Sequence, residues 1–273
     1  MQQSVDGLIK DLETKILTEK IDPAFDLKAG LKVGVDLGTS NIVIVVLDKN
    51  DQPVTGAMES AKVVRDGIVV DFIGAVKIVS RLKLKLEQRL GIKLEEAATA
   101  IPPGILKGNI KVITNVVEAA GFRVTNVVEE PVAAARVLNI TDGAVVDMGG
   151  GTTGISVLKN GEILYSVDEP TGGTHLTLVL SGSLQVDYDE AEKFKQQPEN
   201  YRLVFPIVRP VIEKMAEITK RNIIKDVMQI YLVGGTACLD GIEEVFQKYT
   251  SIYTTKPYNP LLVTPLGIAM YAK

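Results

Sequence analysis

The sequence predicts an α/β fold built from two duplicated lobes, and three observations carry that prediction. An apolar run ending in aspartate, a turn of glycine and hydroxyl residues, and a second apolar run occur twice, over residues 31–47 and again over 143–158. Strand-like runs alternate with helical patterns along most of the chain, the signature of an α/β protein with a largely parallel sheet and with sites at the carboxyl ends of strands. The 273 residues are 46% hydrophobic and long enough to bury a sizeable core. Length alone allows one or two domains, and the duplication favours two lobes facing one cleft.

The second copy is the fuller one. Gly143-Ala-Val-Val146 leads to Asp147-Met-Gly149-Gly150-Gly151-Thr152-Thr153, and Gly154-Ile-Ser-Val-Leu158 leaves at once. Three glycines let the backbone turn without Cβ clashes and bring N–H groups close to an anion. The Asp147 carboxylate and the Thr152 and Thr153 hydroxyls remain at the rim, a combination that suits a magnesium-bound nucleotide phosphate. A plain hairpin turn would also use glycine. The first copy, Asp36-Leu-Gly38-Thr39-Ser40 between two β-branched runs, repeats the design and favours a two-loop phosphate clamp. Each copy continues through a polar turn into a third strand, at 52–61 and 162–168.

Composition narrows the function classes. A formal net charge of −4, a pI near 5.3 and the lack of a long basic run argue against nucleic acid as a partner. One cysteine, Cys238, makes no internal disulfide and holds no metal cluster, which fits a reducing compartment. No apolar stretch approaches the roughly 20 residues of a membrane span, and the first residues lack a basic-then-apolar leader, so a soluble, cytoplasmic protein is expected.

Taken in order, residues 4–20 place Val5, Leu8, Ile9, Leu12, Ile16 and Leu17 near helical spacing, and Asp22-Pro23 is expected to stop the helix. This segment packs on the globular body or serves as a docking peptide. A linker runs to Gly30. Beyond the third strand, a turn between apolar runs at 63–72 leads to a helix over 73–90, whose Arg81, Lys83, Lys85 and Arg89 form a solvated face. A strand at 97–101 ends at Pro102-Pro103-Gly104; a helix over 106–120 and a strand at 123–128 follow. Glu129 and Glu130 then reach the top of the sheet, and Pro131 opens a helix whose small alanines, Ala133 to Ala135, allow close packing. These carboxylates either stabilise the helix start through its dipole or, for Glu130, touch a metal-water shell.

In the second half, Gly172-Gly173 precede a helix whose N-terminus can accept a phosphate. His175, the sole histidine, has no visible catalytic partner and is read as a helix-start or cleft-lining residue. Residues 187–222 are helical in pattern, with interruptions expected near Pro198 and Pro206. Glu192 and Lys195 share a face at i and i+3, as a surface pair or as a clamp on ribose hydroxyls and the adenine edge. Gly234-Gly235 end a strand before a helix expected at 239–246, leaving backbone on which a flat base can lie. Cys238 is expected to be a small buried residue beside that turn. A strand near 252–254 and a helix around Pro265-Leu-Gly267-Ile-Ala269 close the chain.

This ordered set resembles the actin, heat-shock-chaperone and sugar-kinase ATPase superfamily: Asp36 to Ser40, Glu130-Pro131, Asp147 to Thr152, Gly172-Gly173, Ala191-Glu192 to Lys195, and Gly234-Gly235, spanning 32–270. Within it, the stretches 61–75, Pro102-Pro103-Gly104, 147–155 and 210–217 are similar to the chaperone-like ethanolamine-utilisation proteins. The resemblance implies an actin-like ATPase fold, with ribonuclease-H-like lobes at 31–141 and 142–273 after an N-terminal helix and linker at 1–30. It implies ATP or ADP with Mg2+ as cofactors, Asp36 and Asp147 holding the hydrated metal, and Glu130 or Asp147 orienting the attacking water. Gly38, Thr39, Ser40 and Gly149, Gly150, Gly151, Thr152 would stabilise charge on the transferred phosphoryl group. The partners it implies are the ethanolamine ammonia-lyase system or a microcompartment shell, with a polymerising scaffold as the alternative role and a small-molecule kinase as a weaker one. Related dehydratase activators that carry an iron–sulfur cluster are excluded by the single cysteine.

The pattern departs from the chaperones in three places. Gly154 stands where they carry an acid, so slow turnover is expected. The first lobe has no counterpart of their phosphate-contacting lysine. No separate peptide-binding domain is expected, which leaves the core, the N-terminal helix or another protein to hold a client.

Overall fold

A computed structural model describes residues 4–21, 25, 30–65, 67–224 and 226–273. The expected helix stop at Asp22-Pro23, most of the linker to Gly30, and Asp66 lie outside the described residues. The chain divides into two compact units, Met1–Ile140 with Pro257–Lys273, and Thr141–Lys256.

In the first unit, helix α1 (Val5–Thr18) is capped by Ser4, whose side chain accepts the Gly7 N–H, and ends at Glu19 in the left-handed region. Strands β1 (Leu31–Leu37), β2 (Asn41–Asp48) and β3 (Pro53–Ser60) form an antiparallel meander. A hairpin of β4 (Val64–Arg65) and β5 (Ile68–Val69) follows, then α2 (Phe72–Leu90), β6 (Glu96–Ile101), α3 (Lys107–Ala119), β7 (Arg123–Glu129) and α4 (Glu130–Leu138). The sheet order is β3-β2-β1-β6-β7, with β1, β6 and β7 parallel. Every residue from Ile42 to Leu47 is buried, which is why β2 is apolar without alternation: both of its faces are covered. One face meets Val79, Leu82 and Leu86 of α2 and Ile113, Val116 and Val117 of α3.

The N-terminal helix packs on this body. Leu8, Ile9 and Leu12 are buried, and Lys15 donates to the Pro53 carbonyl and to Asp11. Its last turn is held through Glu19, which pairs with Lys85 and with Arg89 of α2. Its start is held by Asp6, which accepts the Tyr258 N–H at 2.9 Å.

The second unit repeats the sheet. Strands β8 (Gly143–Met148), β9 (Thr153–Lys159) and β10 (Glu162–Glu169) form a meander, followed by α5 (Gly173–Leu184), α6 (Tyr188–Gln196) and α7 (Tyr201–Asn222). Then come β11 (Gln229–Val233), a 3-10 turn Gly235–Cys238, α8 (Ile242–Thr250) and β12 (Tyr253–Thr255). The order β10-β9-β8-β11-β12 matches the first sheet strand for strand. Each sheet therefore has two antiparallel and two parallel pairings, so the expected largely parallel sheet is corrected to a mixed one.

Two expected helix boundaries differ. The break near 198 is present as a 3-10 turn, Pro198–Asn200, but α7 runs through both Pro206 and Pro210. Both prolines lie on its exposed side, while Val204, Val208, Ile212 and Met215 hold the buried side to the core. The helix expected from 239 starts later because Gly241, at φ +83°, turns the chain first.

The final helix, α9 (Val263–Met270), belongs to the first unit, whereas the sequence reading ran the second lobe to the C-terminus. Its Gly267 lies against α4 so closely that a Cβ would sit 2.0 Å from the Ala133 carbonyl oxygen. Ala133, Ala98, Ala100, Val128 and Ile268 form the small core on that face of the first sheet.

Candidate functional site

In the first unit the candidate residues gather at one end of the sheet. Asp36 precedes the last residue of β1, and Thr99 of β6 donates to the Val35 carbonyl at 2.9 Å, fixing the two strands in register. Thr99 pairs with Val127 and Ile101 with Glu129, so Asp36, Glu129 and Glu130 all emerge at the carboxyl ends of parallel strands. Glu130 is the first residue of α4, and Glu129, the N-cap, makes no side-chain capping bond. The turn Gly38, Thr39, Ser40 is held at its far end by the Ala61 N–H, which donates to the Ser40 carbonyl at 3.0 Å. A Cβ on Gly38 would lie 2.8 Å from the Asn41 carbonyl oxygen, so this tight turn needs its one glycine.

In the second unit four segments meet. Asp147, near the end of β8, is buried, and Gly234 at the end of β11 lies beside it: a Cβ there would be 2.4 Å from the Asp147 Oδ1. The turn Gly149, Gly150, Gly151, Thr152 is closed by the Gly149 N–H, which donates to the Thr152 carbonyl at 2.9 Å. The start of α5 packs on it. Gly173 N–H donates to the Gly149 carbonyl at 3.0 Å and Thr174 N–H to the Gly150 carbonyl at 2.7 Å. A Cβ on Gly172 would stand 2.7 Å from the Gly150 carbonyl oxygen, which explains the paired glycines by close approach of backbone to backbone.

This alters the role expected of Gly172-Gly173. The amides at the start of α5 donate within the protein: His175 N–H to the Gly172 carbonyl, Gly172 N–H to the His175 Nδ1 at 3.3 Å, and the two just described. The helix start therefore braces the glycine turn and does not offer those amides to an anion. His175 is part of that brace, as a helix-start residue.

Glu192 and Lys195 lie on α6 against α5. Lys195 Nζ donates to Glu192 Oε2 at 2.8 Å, to Thr177 Oγ1 at 2.7 Å and to the Gly173 carbonyl at 3.1 Å, so all three of its donors are engaged. Thr177 also donates to Glu192, whose other oxygen accepts from Gln196 at 2.9 Å. Burial alone would raise the Glu192 carboxyl, but the Lys195 charge and these hydrogen bonds outweigh it and hold Glu192 below its ordinary value. Burial lowers Lys195, with Glu192 opposing. The pair is thus a desolvated ion pair tied to the backbone of Gly173, and Lys195 meets a ligand only by exchanging one of these partners.

Two hydroxyls in this cluster escaped the sequence reading. Thr236 Oγ1 donates to the Gly149 carbonyl at 2.8 Å, and Thr177 occupies the centre of the Glu192–Lys195 contact. The signal for Thr236 was its place directly after Gly234-Gly235; Thr177, one turn after Gly173, gave none. Cys238 is half-buried in the 3-10 turn. At the position of the missing acid, Gly154 pairs with Asp147 on one side and with Asp168 on the other. Ser156 and Ser166, the next pair along, touch at 2.6 Å, so Asp168 shares the sheet face of Asp147 across the gap at Gly154.

With this geometry in hand, comparison with known proteins gives four matches. The profile of the type IV pilus assembly protein PilM family matches residues 107–263. The ethanolamine utilization protein EutJ of Salmonella typhimurium is 44% identical over 88% of this chain and 85% of its own length. Among solved structures, EutJ from Carboxydothermus hydrogenoformans superposes with a TM-score of 0.92 at 48% identity, covering 98% of each chain. MreB 5 of Spiroplasma citri, bound to AMPPNP, superposes at 0.71 with 16% identity over 88% of this chain and 95% of its own, a likeness of fold alone. Among the described residues no helix is long and apolar enough to cross a membrane.

Proposed function

Because the chain belongs to the EutJ family of ethanolamine utilization proteins and has the actin-like ATPase fold shared with PilM and MreB, we propose that it binds ATP and ADP with magnesium and acts as a chaperone-like factor for ethanolamine-utilising enzymes or their microcompartment. The observation that carries the nucleotide part is the recurrence, in two sheets of identical strand order, of an aspartate followed by a glycine and hydroxyl turn at the same place.

Each unit by itself offers donors of the kind magnesium takes. Asp36 and Asp147 are carboxylates at strand ends, Thr39, Ser40 and Thr152 add hydroxyls, and the bare Gly234 keeps side-chain bulk away from Asp147. Asp36 and Asp147 are the residues that would hold hydrated magnesium, which supplies charge neutralisation at the phosphates. Glu130 or Asp147 orients the attacking water, and the turns at Gly38 to Ser40 and Gly149 to Thr152 meet the phosphate charge. Hydrolysis matters to a client only if that client binds the ATP and ADP forms with different affinity.

Calorimetric titration of Mg-ATP into the full chain, followed by phosphate release over hours, tests this reading. Tight binding with slow release is expected, and Asp36→Asn or Asp147→Asn should each weaken binding about tenfold or more, of order 1.4 kcal/mol. A wild-type chain that does not bind Mg-ATP refutes the proposal. Nucleotide-dependent sedimentation of the purified chain alone would replace the chaperone role with that of a polymerising scaffold.

A further inference from the structure

We infer that Thr236 is a positioning residue for the second phosphate turn: its hydroxyl, by holding the Gly149 carbonyl, aims the Gly150 N–H at the nucleotide phosphate. The inference rests on the nucleotide reading above and adds to it a residue outside the glycine motifs.

The argument comes from the planarity of the peptide unit. In a trans peptide the C=O of one residue and the N–H of the next point in opposite directions. No peptide bond among the described residues is cis. The Gly149 carbonyl accepts two donors, the Gly173 N–H at 3.0 Å and the Thr236 hydroxyl at 2.8 Å. The Gly150 N–H must then face away from α5 and from the 3-10 turn. The next peptide behaves alike: the Gly150 carbonyl accepts the Thr174 N–H at 2.7 Å, which turns the Gly151 N–H the same way. Two successive amides are thereby turned to the side of the turn away from α5, the arrangement that binds anions through backbone alone.

Of the three donors just named, Thr236 is the one that is a side chain. It is delivered by Gly234 and Gly235, and Gly234 needs its φ of +88° and its missing Cβ to pass Asp147 and Met148. The hydroxyl fills the space next to Gly173, where a Cβ on that glycine would lie 2.6 Å from Thr236 Oγ1. The segment that ends β11 is therefore joined to the phosphate turn by one hydrogen bond. An alanine, a valine or any residue without a donor at 236 leaves the Gly149 carbonyl with the Gly173 N–H alone, and its peptide freer to rotate.

The test compares Thr236→Val, which keeps the shape and loses the donor, with Thr236→Ser, which keeps the donor. Mg-ATP affinity is measured by calorimetry on the full chain, and adenosine affinity by competition against Mg-ATP. The valine variant should bind Mg-ATP about three- to tenfold more weakly, as expected for one lost hydrogen bond. The serine variant should bind like wild type, and adenosine, which has no phosphate, should be affected by neither change. Equal Mg-ATP affinity in the valine variant and wild type overturns the inference. So does a valine variant that weakens adenosine as much as Mg-ATP, or a serine variant as weak as the valine one. A wild-type chain that binds no Mg-ATP refutes the nucleotide reading itself, which separates the two failures.

Discussion

Replacing Gly267 by alanine tests the close backbone approach of α9 to α4. The new methyl group would lie 2.0 Å from the Ala133 carbonyl oxygen, 2.4 Å from its carbon and 3.0 Å from its Cα, all of them backbone atoms. Ala133 is fully buried, so α4 and α9 must move apart and disturb Ala98, Ala100 and Val128 on the sheet beneath. Overpacking of this kind costs about 3 kcal/mol at the upper end of its usual range. Helix propensity returns about 1 kcal/mol on going from glycine to alanine, leaving a net loss of roughly 2 kcal/mol. For a chain of this size that lowers the unfolding midpoint by about 4–8 °C. Gly182 in α5 provides the control: a Cβ there meets nothing within 4 Å, so Gly182→Ala should stabilise by about 0.5–1 kcal/mol. Both variants would be followed by calorimetry and by urea unfolding. A Gly267→Ala protein as stable as wild type would refute the close contact of α4 with α9. Gly34→Ala, whose methyl would lie 2.4 Å from the Ala269 nitrogen, should add less than its own cost to Gly267→Ala, because one displaced helix relieves both contacts.

The remaining expectations concern charge, the N-terminal helix and the histidine. Burial would raise the Glu87 carboxyl, but the Leu94 N–H, Lys93 and Lys83 outweigh it and hold the group below its ordinary 4.5. Its folded value being depressed, its contribution is complete above about pH 4.5 and lost as pH falls through the lower folded value. The gap in urea stability between wild type and Glu87→Gln should therefore close as pH drops through that window, and a gap that does not depend on pH would contradict it. Leu12→Ala, at a fully buried position on α1, should cost about 2–4 kcal/mol of local stability. Its readout is faster proteolytic cleavage near Glu19, and unchanged cleavage would show that α1 is not held by that face. His175→Ala should leave Mg-ATP affinity within about threefold, since the lost contact is one long hydrogen bond to the Gly172 amide.

Much of the fold could be read from local pattern, and the differences have spatial causes. Both meanders were legible because an aspartate, a glycine turn and a β-branched run lie next to each other in sequence and recur. The return of α9 to the first unit was not legible: Gly267 and Ala133 are far apart in the chain and related only by contact. Pro206 looked like a break because proline usually ends a helix, and the buried side of α7 carries the helix past it. At the N-terminal helix the two open readings are now unequal, because Leu8, Ile9 and Leu12, the residues a docking face would use, are covered by the protein's own core. The glycine motifs could be read as places of close backbone approach, yet which group approaches which depended on α5, α6 and the 3-10 turn meeting. Thr177 is therefore visible only in three dimensions, and Thr236, though it follows Gly234-Gly235 directly, shows its partner only there.

The two glycine turns also show why the copies diverged. In the first, Gly38 is needed only where the chain passes the Asn41 carbonyl, and Thr39 and Ser40 carry side chains. In the second, α5 sits directly on the turn, and a Cβ on Gly172 would lie 2.7 Å from the Gly150 carbonyl oxygen and 2.8 Å from that of Gly149. On the helix side Gly172 is what a contact of this closeness requires, whereas a Cβ on Gly149 would meet the Thr152 carbonyl oxygen at 3.2 Å and nothing of α5. Gly172 thus records the packing of a helix start against the turn. It follows that a methyl group at Gly172 should disturb the second turn directly and weaken Mg-ATP binding in the calorimetric titration. The first turn should tolerate Thr39→Ser with little change in stability, because Thr39 is only half-buried and serine keeps the hydroxyl.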